Sequence, residues 1–151
     1  MSVKAVSLGA LVALLFIAGA MLVITSRARQ PRPRPVAAPT PIEGTLDVRA
    51  IDDFRVGSRQ VILCGVAFTS GAAMREIAAG AARRDFQGKR VTCRPVGGGT
   101  PCDGRAASSF KGTPVAQCIT EDGKDIAAEL SARRILCDVP AHSGGYYGAC
   151  R

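Results

Sequence analysis

The sequence predicts a small β-rich α+β domain behind an N-terminal transmembrane helix. Three observations support this prediction: a long apolar run at the amino terminus, short stretches in which apolar and polar residues alternate, and two stretches with apolar residues at helical spacing. The domain is organised around two strands, predicted over residues 89–94 and 113–119. Each strand carries a cysteine, so Cys93 and Cys118 could face each other.

Residues 1–26 are predicted to be a membrane segment. Lys4 precedes an apolar stretch without further charge over residues 5–24, which is close to the roughly 20 residues that span a bilayer core. Ala18-Gly19-Ala20 has the small-x-small form of a signal-peptidase site, yet the apolar run continues beyond it. An uncleaved signal anchor is therefore the prediction, and cleavage is the alternative.

Residues 27–43 are predicted to be an extended linker, because they combine prolines and arginines with few large apolar side chains. Residues 1–42 hold five bases and no acid, whereas residues 43–151 hold 15 bases and 12 acids. Most of the formal charge of +8 thus belongs to the tether. Attraction to anionic lipid headgroups explains it as well as nucleic acid does.

Three strands and an amphipathic helix are predicted in the first half of the domain, residues 44–151. Alternation indicates strands over residues 45–51, 54–56 and 59–66. A helix is predicted over residues 70–86, with Thr69 or Ser70 as its N-cap. Its apolar positions are expected to face the core: Met74, Ile77, Ala78 and Ala81.

The second half of the domain is predicted to contain a long loop, a second helix and an irregular tail. The loop covers residues 97–109, and its glycine run lacks the lysine of a phosphate-binding loop. Asp125 is placed to cap a helix over residues 126–133. Residues 135–151 are expected to be irregular and to be held by Cys137 and Cys150.

The six cysteines all follow the membrane segment, and none forms a Cys-x-x-Cys pair. His142 is the only histidine, so the spacing suits a tetrahedral zinc site poorly, and structural disulfides are predicted. Several pairings are possible. Strand geometry favours Cys93 with Cys118, sequence proximity favours Cys137 with Cys150, and Cys64 with Cys102 then remains.

Two signals conflict over the orientation in the membrane. The four arginines of the linker outnumber Lys4, and the positive-inside rule alone would place the domain in the cytoplasm. Six cysteines without metal-binding spacing indicate an oxidising compartment. We weight the cysteines more heavily and predict a single-pass membrane protein with an extracytoplasmic domain, periplasmic in a Gram-negative cell.

Several short motifs resemble those of the staphylococcal-nuclease-like (thermonuclease) family, as in a degenerate exported member. Ile51-Asp52-Asp53-Phe54 resembles the family's Ile-Asp-Gly-Asp-Thr, and Val-Ile-Leu-Cys-Gly-Val-Ala at residues 61–67 resembles Val-Arg-Leu-x-Gly-Ile-Asp. Ser-Gly-Gly-Tyr at residues 143–146 is similar to the tail of exported relatives. The resemblance covers residues 44–147 and implies a small five-stranded OB-type barrel with two or three helices.

The resemblance also implies a site, which this sequence lacks in large part. In active members carboxylates hold Ca²⁺ against the phosphate, a glutamate activates water and two arginines neutralise charge. The places of the two arginines, the second aspartate and the glutamate are taken here by Ile62, Thr113, Ala67 and Ser70. Asp52 or Asp53 could stand for the first metal-binding aspartate, although the loop is one residue short.

Losing one transition-state donor costs about 100- to 1,000-fold in rate, so losing four leaves no nuclease of this kind. We therefore expect a catalytically degenerate binding or scaffolding domain, a pseudoenzyme with no metal and no cofactor. Its expected partners are the inner membrane and an unknown protein or polyanion, and nothing in the sequence specifically supports nucleic acid. The alternative is a divergent metal-dependent nuclease or phosphodiesterase that uses Ca²⁺ with Asp52 and Asp53.

Two further hypotheses concern the function. Some exported relatives carry names from envelope or exopolysaccharide assembly, which is an analogy at the level of the fold. Asp138, His142 and Ser143 could be imagined as a hydrolytic set, but the tail that holds them has no nucleophile-elbow motif.

Overall fold

The computed structural model describes residues 37–148 and 150, which form a closed five-stranded β-barrel with three helices. The barrel strands are β1 (Ile42–Ala50), β2 (Asp53–Val56), β3 (Arg59–Leu63), β5 (Arg90–Pro95) and β7 (Thr113–Thr120). Three further strands have two residues each: β4 (Val66–Ala67), β6 (Ser109–Phe110) and β8 (Cys137–Asp138). The helices are α1 (Arg75–Phe86), α2 (Ile126–Ala132) and α3 (Pro140–Ser143). The predicted β-rich α+β class is confirmed, and the barrel is consistent with an OB-type fold.

The barrel closes because β1 pairs with two neighbouring strands. Its first half, from Ile42 to Thr45, pairs with β5, and its second half pairs with β2, with an irregular register between Val48 and Ala50. Strands β1, β2 and β3 form an antiparallel meander. Strand β3 then runs parallel to β7, which pairs with β5 and so completes the ring. A closed sheet leaves no long edge among these five strands.

The core fills the barrel and the space between the barrel and α2. Leu46, Ile51, Ile126 and Leu130 are the largest side chains with almost no exposure. The Asp125 side chain accepts hydrogen bonds from the amides of Ala127 and Ala128, at 2.9 and 3.3 Å, so the predicted N-cap of α2 is confirmed.

The prediction for α1 is wrong in its start and in half of its core face. The helix begins at Arg75, after a 3₁₀ turn over Ala72–Met74, and no side chain caps either element. Met74 and Ile77 are 48% and 63% exposed. The buried stripe consists instead of Ala78, Ala79, Ala81, Ala82 and Phe86. Small alanine side chains let the helix approach β1 closely, and the 3₁₀ turn places Met74 outside the regular helical period.

Four other parts of the chain differ from the sequence prediction. The first strand begins at Ile42, before the predicted start at residue 45. The third strand ends at Leu63, because the chain turns at Gly65, whose φ is 73°, before β4 starts. The predicted loop over residues 97–109 ends in β6, and the tail expected to be irregular contains β8 and α3. Strand β8 forms only through pairing with the distant β4, whereas β6 pairs with β7 across the two-residue turn Lys111-Gly112.

Within residues 37–148, no helix combines the length and the apolar character that crossing a membrane requires. The predicted membrane segment, residues 1–26, and the first ten residues of the predicted linker, up to residue 36, lie outside the described part of the chain.

All six cysteines form disulfides. Cys64 pairs with Cys102, Cys93 with Cys118 and Cys137 with Cys150, with Cα atoms 6.2, 4.0 and 5.2 Å apart. Cys93 and Cys118 are directly opposite each other in the β5–β7 register. These are the pairs that strand geometry, sequence proximity and elimination favour.

The alanine face of α1 gives a first prediction. Ile77→Ser should change the free energy of unfolding by no more than about 0.5 kcal/mol, because the side chain is mostly in water. Ala82→Leu should lower it by about 1–3 kcal/mol, because Ala82 is fully buried and the added atoms overpack the helix against β1. Chemical denaturation measures both changes. A larger loss of stability in Ile77→Ser than in Ala82→Leu would indicate that Ile77 belongs to the core.

The disulfides give a second prediction. Under non-reducing conditions, digested native protein should yield three cross-linked peptide pairs, each containing one of the three observed bridges. Replacing both Cys137 and Cys150 by alanine should lower the free energy of unfolding by about 3 kcal/mol, because the bridge closes a loop of 13 residues. Mass spectrometry and denaturation check these results. More than two free thiols in native protein would contradict them.

Candidate ligand groove beside strand β3

Two adjoining concave surfaces lie along β3 and the turn that follows it. Both are lined by Ile62, Leu63 and Val66, so the two surfaces share these three apolar residues. The smaller one has a volume of about 80 Å³ and the larger one about 390 Å³. The half-buried Ile62 and Val66 separate them.

The smaller pocket brings together three of the positions singled out in the sequence. Asp52 lies at its rim, and Ile62 and Ala67 form part of its wall. The remaining lining residues are apolar as well: Ile51, Phe54, Val61, Leu63, Val66, Phe68 and Leu136. Apart from Asp52, this pocket offers no charged side chain to a ligand.

The two aspartates that were candidates for metal binding are both paired with arginines. The Arg75 guanidinium donates to Asp52 at 2.5 Å and also lies 5.3 Å from the centre of the Phe68 ring. Asp53 does not line the pocket, and its Oδ1 lies 3.3 Å from Nε of Arg55 without hydrogen-bond geometry. The sequence grouped Asp52 with Asp53, but the structure separates their side chains.

The other two positions lie apart from the smaller pocket. Ser70 is exposed in the segment between β4 and the 3₁₀ turn. Thr113 begins β7, where it pairs with Phe110 of β6. Neither side chain belongs to the lining around Asp52.

Calcium does not fit this arrangement. Ca²⁺ takes about 6–8 oxygen ligands, usually with several carboxylates among them. Here a single carboxylate, that of Asp52, lines the pocket, and it is already paired with the Arg75 guanidinium. The neighbouring lining positions are Ile62 and Ala67. Among residues 37–148 and 150, no three His, Cys, Asp or Glu side chains converge in a way that could hold a metal ion.

The larger groove runs between the β3–β4 segment and the β6–β7 hairpin. Its lining residues are Ile62, Leu63, Gly65, Val66, Ala106, Ala107, Ser109, Phe110, Val115 and His142. Phe110 is 62% exposed at the hairpin, an unusual position for a large aromatic side chain. A concave apolar surface with a few polar groups is the usual form of a ligand site, with volumes of about 300–1,000 Å³.

The wall formed by Ala106 and Ala107 is held in place by a disulfide and by an aspartate. Cys102 bridges this loop to Cys64, which directly follows the groove residue Leu63. Asp103 accepts hydrogen bonds from the amides of Gly97 and Gly99, at 2.7 and 2.9 Å. The Thr100 hydroxyl donates to it at 2.6 Å. The bond from Thr100 and then the bond from Gly97 lower the pKa of Asp103 from 3.8 to about 2.

The other end of the groove depends on the C-terminal tail. Gly65 packs so closely that a Cβ there would lie 2.7 Å from Cβ of Ser143 and 3.0 Å from the Tyr147 ring. The Ser131 hydroxyl donates to the Tyr147 carbonyl at 3.1 Å. Burial, and secondarily the Asp125 carboxylate, raises the pKa of the Tyr147 phenol, which therefore stays protonated. The tail fixes His142 at the groove.

Two basic residues, Arg105 and Lys111, are neighbours in the chain of the groove residues Ala106 and Phe110. Lys111 follows Phe110, and its Nζ lies 5.5 Å from the centre of that ring. The Arg105 guanidinium packs against Gly144, since a Cβ there would lie 2.9 Å from its Nε. Neither base forms a salt bridge within the described residues, and the lining contains no acid.

The imagined hydrolytic set does not assemble. Ser143 donates a hydrogen bond to the buried Asp138 and accepts one from the amide of Gly145, so it stabilises the turn after α3. His142 lines the groove, but neither Ser143 nor Asp138 does.

Sequence reasoning missed the groove wall formed by Ala106, Ala107 and Phe110, together with its basic neighbours. The sequence predicts only a long connecting loop over residues 97–109, without the short strand that pairs with β7. The one available signal was Phe110-Lys111-Gly112, an aromatic and a base beside a turn glycine in a stretch that is otherwise small and polar.

The hydrogen bonds of Asp103 give a third prediction. Because its pKa is lower in the folded state, the carboxylate stabilises the protein above pH 3.8, and this stabilisation is lost as the pH falls towards about 2. Asp103→Asn should therefore lower the thermal midpoint at pH 7, and the difference from the unchanged protein should shrink between pH 4 and pH 2. Thermal unfolding measured as a function of pH checks this. An equal difference at pH 7 and pH 2 would contradict a role for the ionised carboxylate.

No protein-family model matches the sequence, and neither does any curated protein. The likeness to thermonucleases therefore depends on the short motifs and on a barrel consistent with an OB-type fold. Both support the proposal that follows.

Proposed function

We propose that this chain is a membrane-anchored, catalytically degenerate thermonuclease-like protein whose barrel acts as a binding or scaffolding domain outside the cytoplasm. One observation carries the proposal. The pocket that contains Asp52, where the resemblance would place metal and phosphate, has Ile62 and Ala67 in its wall and adjoins an apolar groove. Such a surface favours burial of apolar ligand groups over stabilisation of a charged transition state.

The charge balance of the smaller pocket supports the same view. Cleavage of a phosphodiester develops negative charge, which requires cations aimed at the phosphate. The cation beside this pocket, Arg75, is paired with Asp52 and lies over the Phe68 ring. Both side chains of the pair are about half exposed.

The proposed location rests on the cysteines and on the amino-terminal sequence. Three disulfides in a domain with a modest core suit an oxidising compartment. The apolar residues 5–24 would anchor the chain, and the proline-rich linker would connect this anchor to the barrel.

The alternative function is a divergent metal-dependent phosphodiesterase. The observation that favours it is that Asp52 does line the pocket, with 55% of its side chain exposed. Opening of its ion pair with Arg75 would free the carboxylate, because exposed pairs contribute little, about 0–1 kcal/mol.

A nuclease assay separates the two functions. Purified full-length protein should not cleave single- or double-stranded DNA or RNA above background in millimolar Ca²⁺, because Ile62, Ala67, Ser70 and Thr113 replace the charged groups of active relatives. Asp52→Asn is the test variant, and Glu43→Gln, on the exposed side of β1, is the matched control. Ca²⁺-dependent cleavage that Asp52→Asn abolishes and Glu43→Gln retains would overturn the proposal.

A further inference from the structure

We propose that the larger groove binds an extended peptide segment of a partner protein, with a large apolar side chain of the peptide flanked by acidic residues. This inference rests on the proposed function, because it names the ligand class of the same binding domain. Three features of the groove support it: its apolar floor, its basic border and its few polar groups.

The floor fits one large apolar side chain. Ile62, Val66 and Val115 present aliphatic surface, and Phe110 extends this surface onto the hairpin. A volume of about 390 Å³ is near the lower end of the range for ligand pockets. Exposed apolar surface of this kind, bordered by polar groups, is typical of interaction sites in soluble domains.

The border selects the charge of the peptide. Lys111 lies at the hairpin beside Phe110, and Arg105 directly precedes the wall residue Ala106 and packs against Gly144. Within the described residues neither base has a salt-bridge partner, and no acid lines the groove. Acidic residues on both sides of the apolar anchor would therefore meet complementary charge without displacing an existing pair.

The polar groups in the lining favour a peptide over an acyl chain. Ser109 and His142 lie among the apolar residues of the groove. A hydrocarbon chain would bury them without offering a hydrogen bond, which costs free energy, whereas the amides of a peptide can pair with them. The preorganised walls, held by the Cys64–Cys102 bridge, reduce the entropy lost on binding.

A single-stranded nucleic acid fits these features less well. Such ligands are bound by a cationic channel that follows the backbone and by several aromatic side chains that stack on successive bases. Here the lining contains one phenylalanine, and the rest of its apolar surface is aliphatic. Nucleic acid is accordingly an alternative outcome of the test and not the proposal.

The test uses full-length protein and a short fluorescent peptide with one leucine between acidic residues. Phe110→Ser should weaken binding of this peptide by at least about tenfold, which is about 1.4 kcal/mol, because it removes the aromatic anchor contact. Ile77→Ser, at nearly the same exposure, is the matched control and should leave the affinity unchanged. Lys111→Glu should weaken binding further at low salt than at high salt, and the exposed Arg84→Glu should not.

Two control peptides and three other probes decide among the outcomes. The peptide in which lysines replace the acidic residues, and the one in which glycine replaces leucine, should both bind at least about tenfold more weakly. Binding of anionic phosphatidylglycerol vesicles or of an oligothymidine, lost in Phe110→Ser, in the absence of peptide binding would overturn the inference. An apolar fluorescent dye, with Phe110→Ser again as the test variant, reports on the groove itself.

The dye also separates this inference from the proposed function. Dye binding that Phe110→Ser weakens, without any peptide binding, would refute the peptide as ligand and leave the binding domain in place. If neither the dye nor the peptide binds, both the inference and the groove as a binding site are wrong. Peptide binding that Phe110→Ser and Lys111→Glu weaken, and that their matched controls retain, establishes the proposal.

Discussion

The turn at Cys64 and Gly65 is the constraint on which the rest of this structure depends. Strand β3 ends there, Cys64 is bridged to Cys102, and the backbone of Gly65 packs directly against Ser143 and Tyr147. Three segments that are distant in the sequence therefore meet at one point. Because Gly65 has φ of 73° and no room for a Cβ, no other residue fits this position without displacing its neighbours.

That meeting point produces the groove. The disulfide holds the loop that carries Ala106 and Ala107 against the end of β3, and the tail places His142 at the other side. A small domain with a modest core cannot stabilise such loops by apolar burial alone, so covalent cross-links take over this role. The rigid parts of the domain thus coincide with the walls of its candidate binding site.

The pocket at Asp52 is concave like a ligand site, but Asp52 is the one charged residue in its lining. Apolar side chains line the wall where charged groups would be required for phosphate chemistry, and the remaining carboxylate is paired with Arg75. In such an environment the favourable free energy of ligand binding comes from removal of apolar surface from water. We therefore propose recognition, and not catalysis, for this barrel.

The sequence by itself determined the order of the strands along the chain, the N-cap of α2 at Asp125 and the difference in charge between residues 1–42 and 43–151, because these follow from local alternation, capping and composition. Only the tertiary structure decided which face of α1 is buried, since the alanine stripe packs against β1 and leaves Met74 and Ile77 in water. It also decided that β4 and β8 exist, because strands of two residues are stable only when a distant partner supplies their hydrogen bonds. The groove between Ile62 and Phe110 requires β3 to lie beside the β6–β7 hairpin, and no local pattern predicts that arrangement.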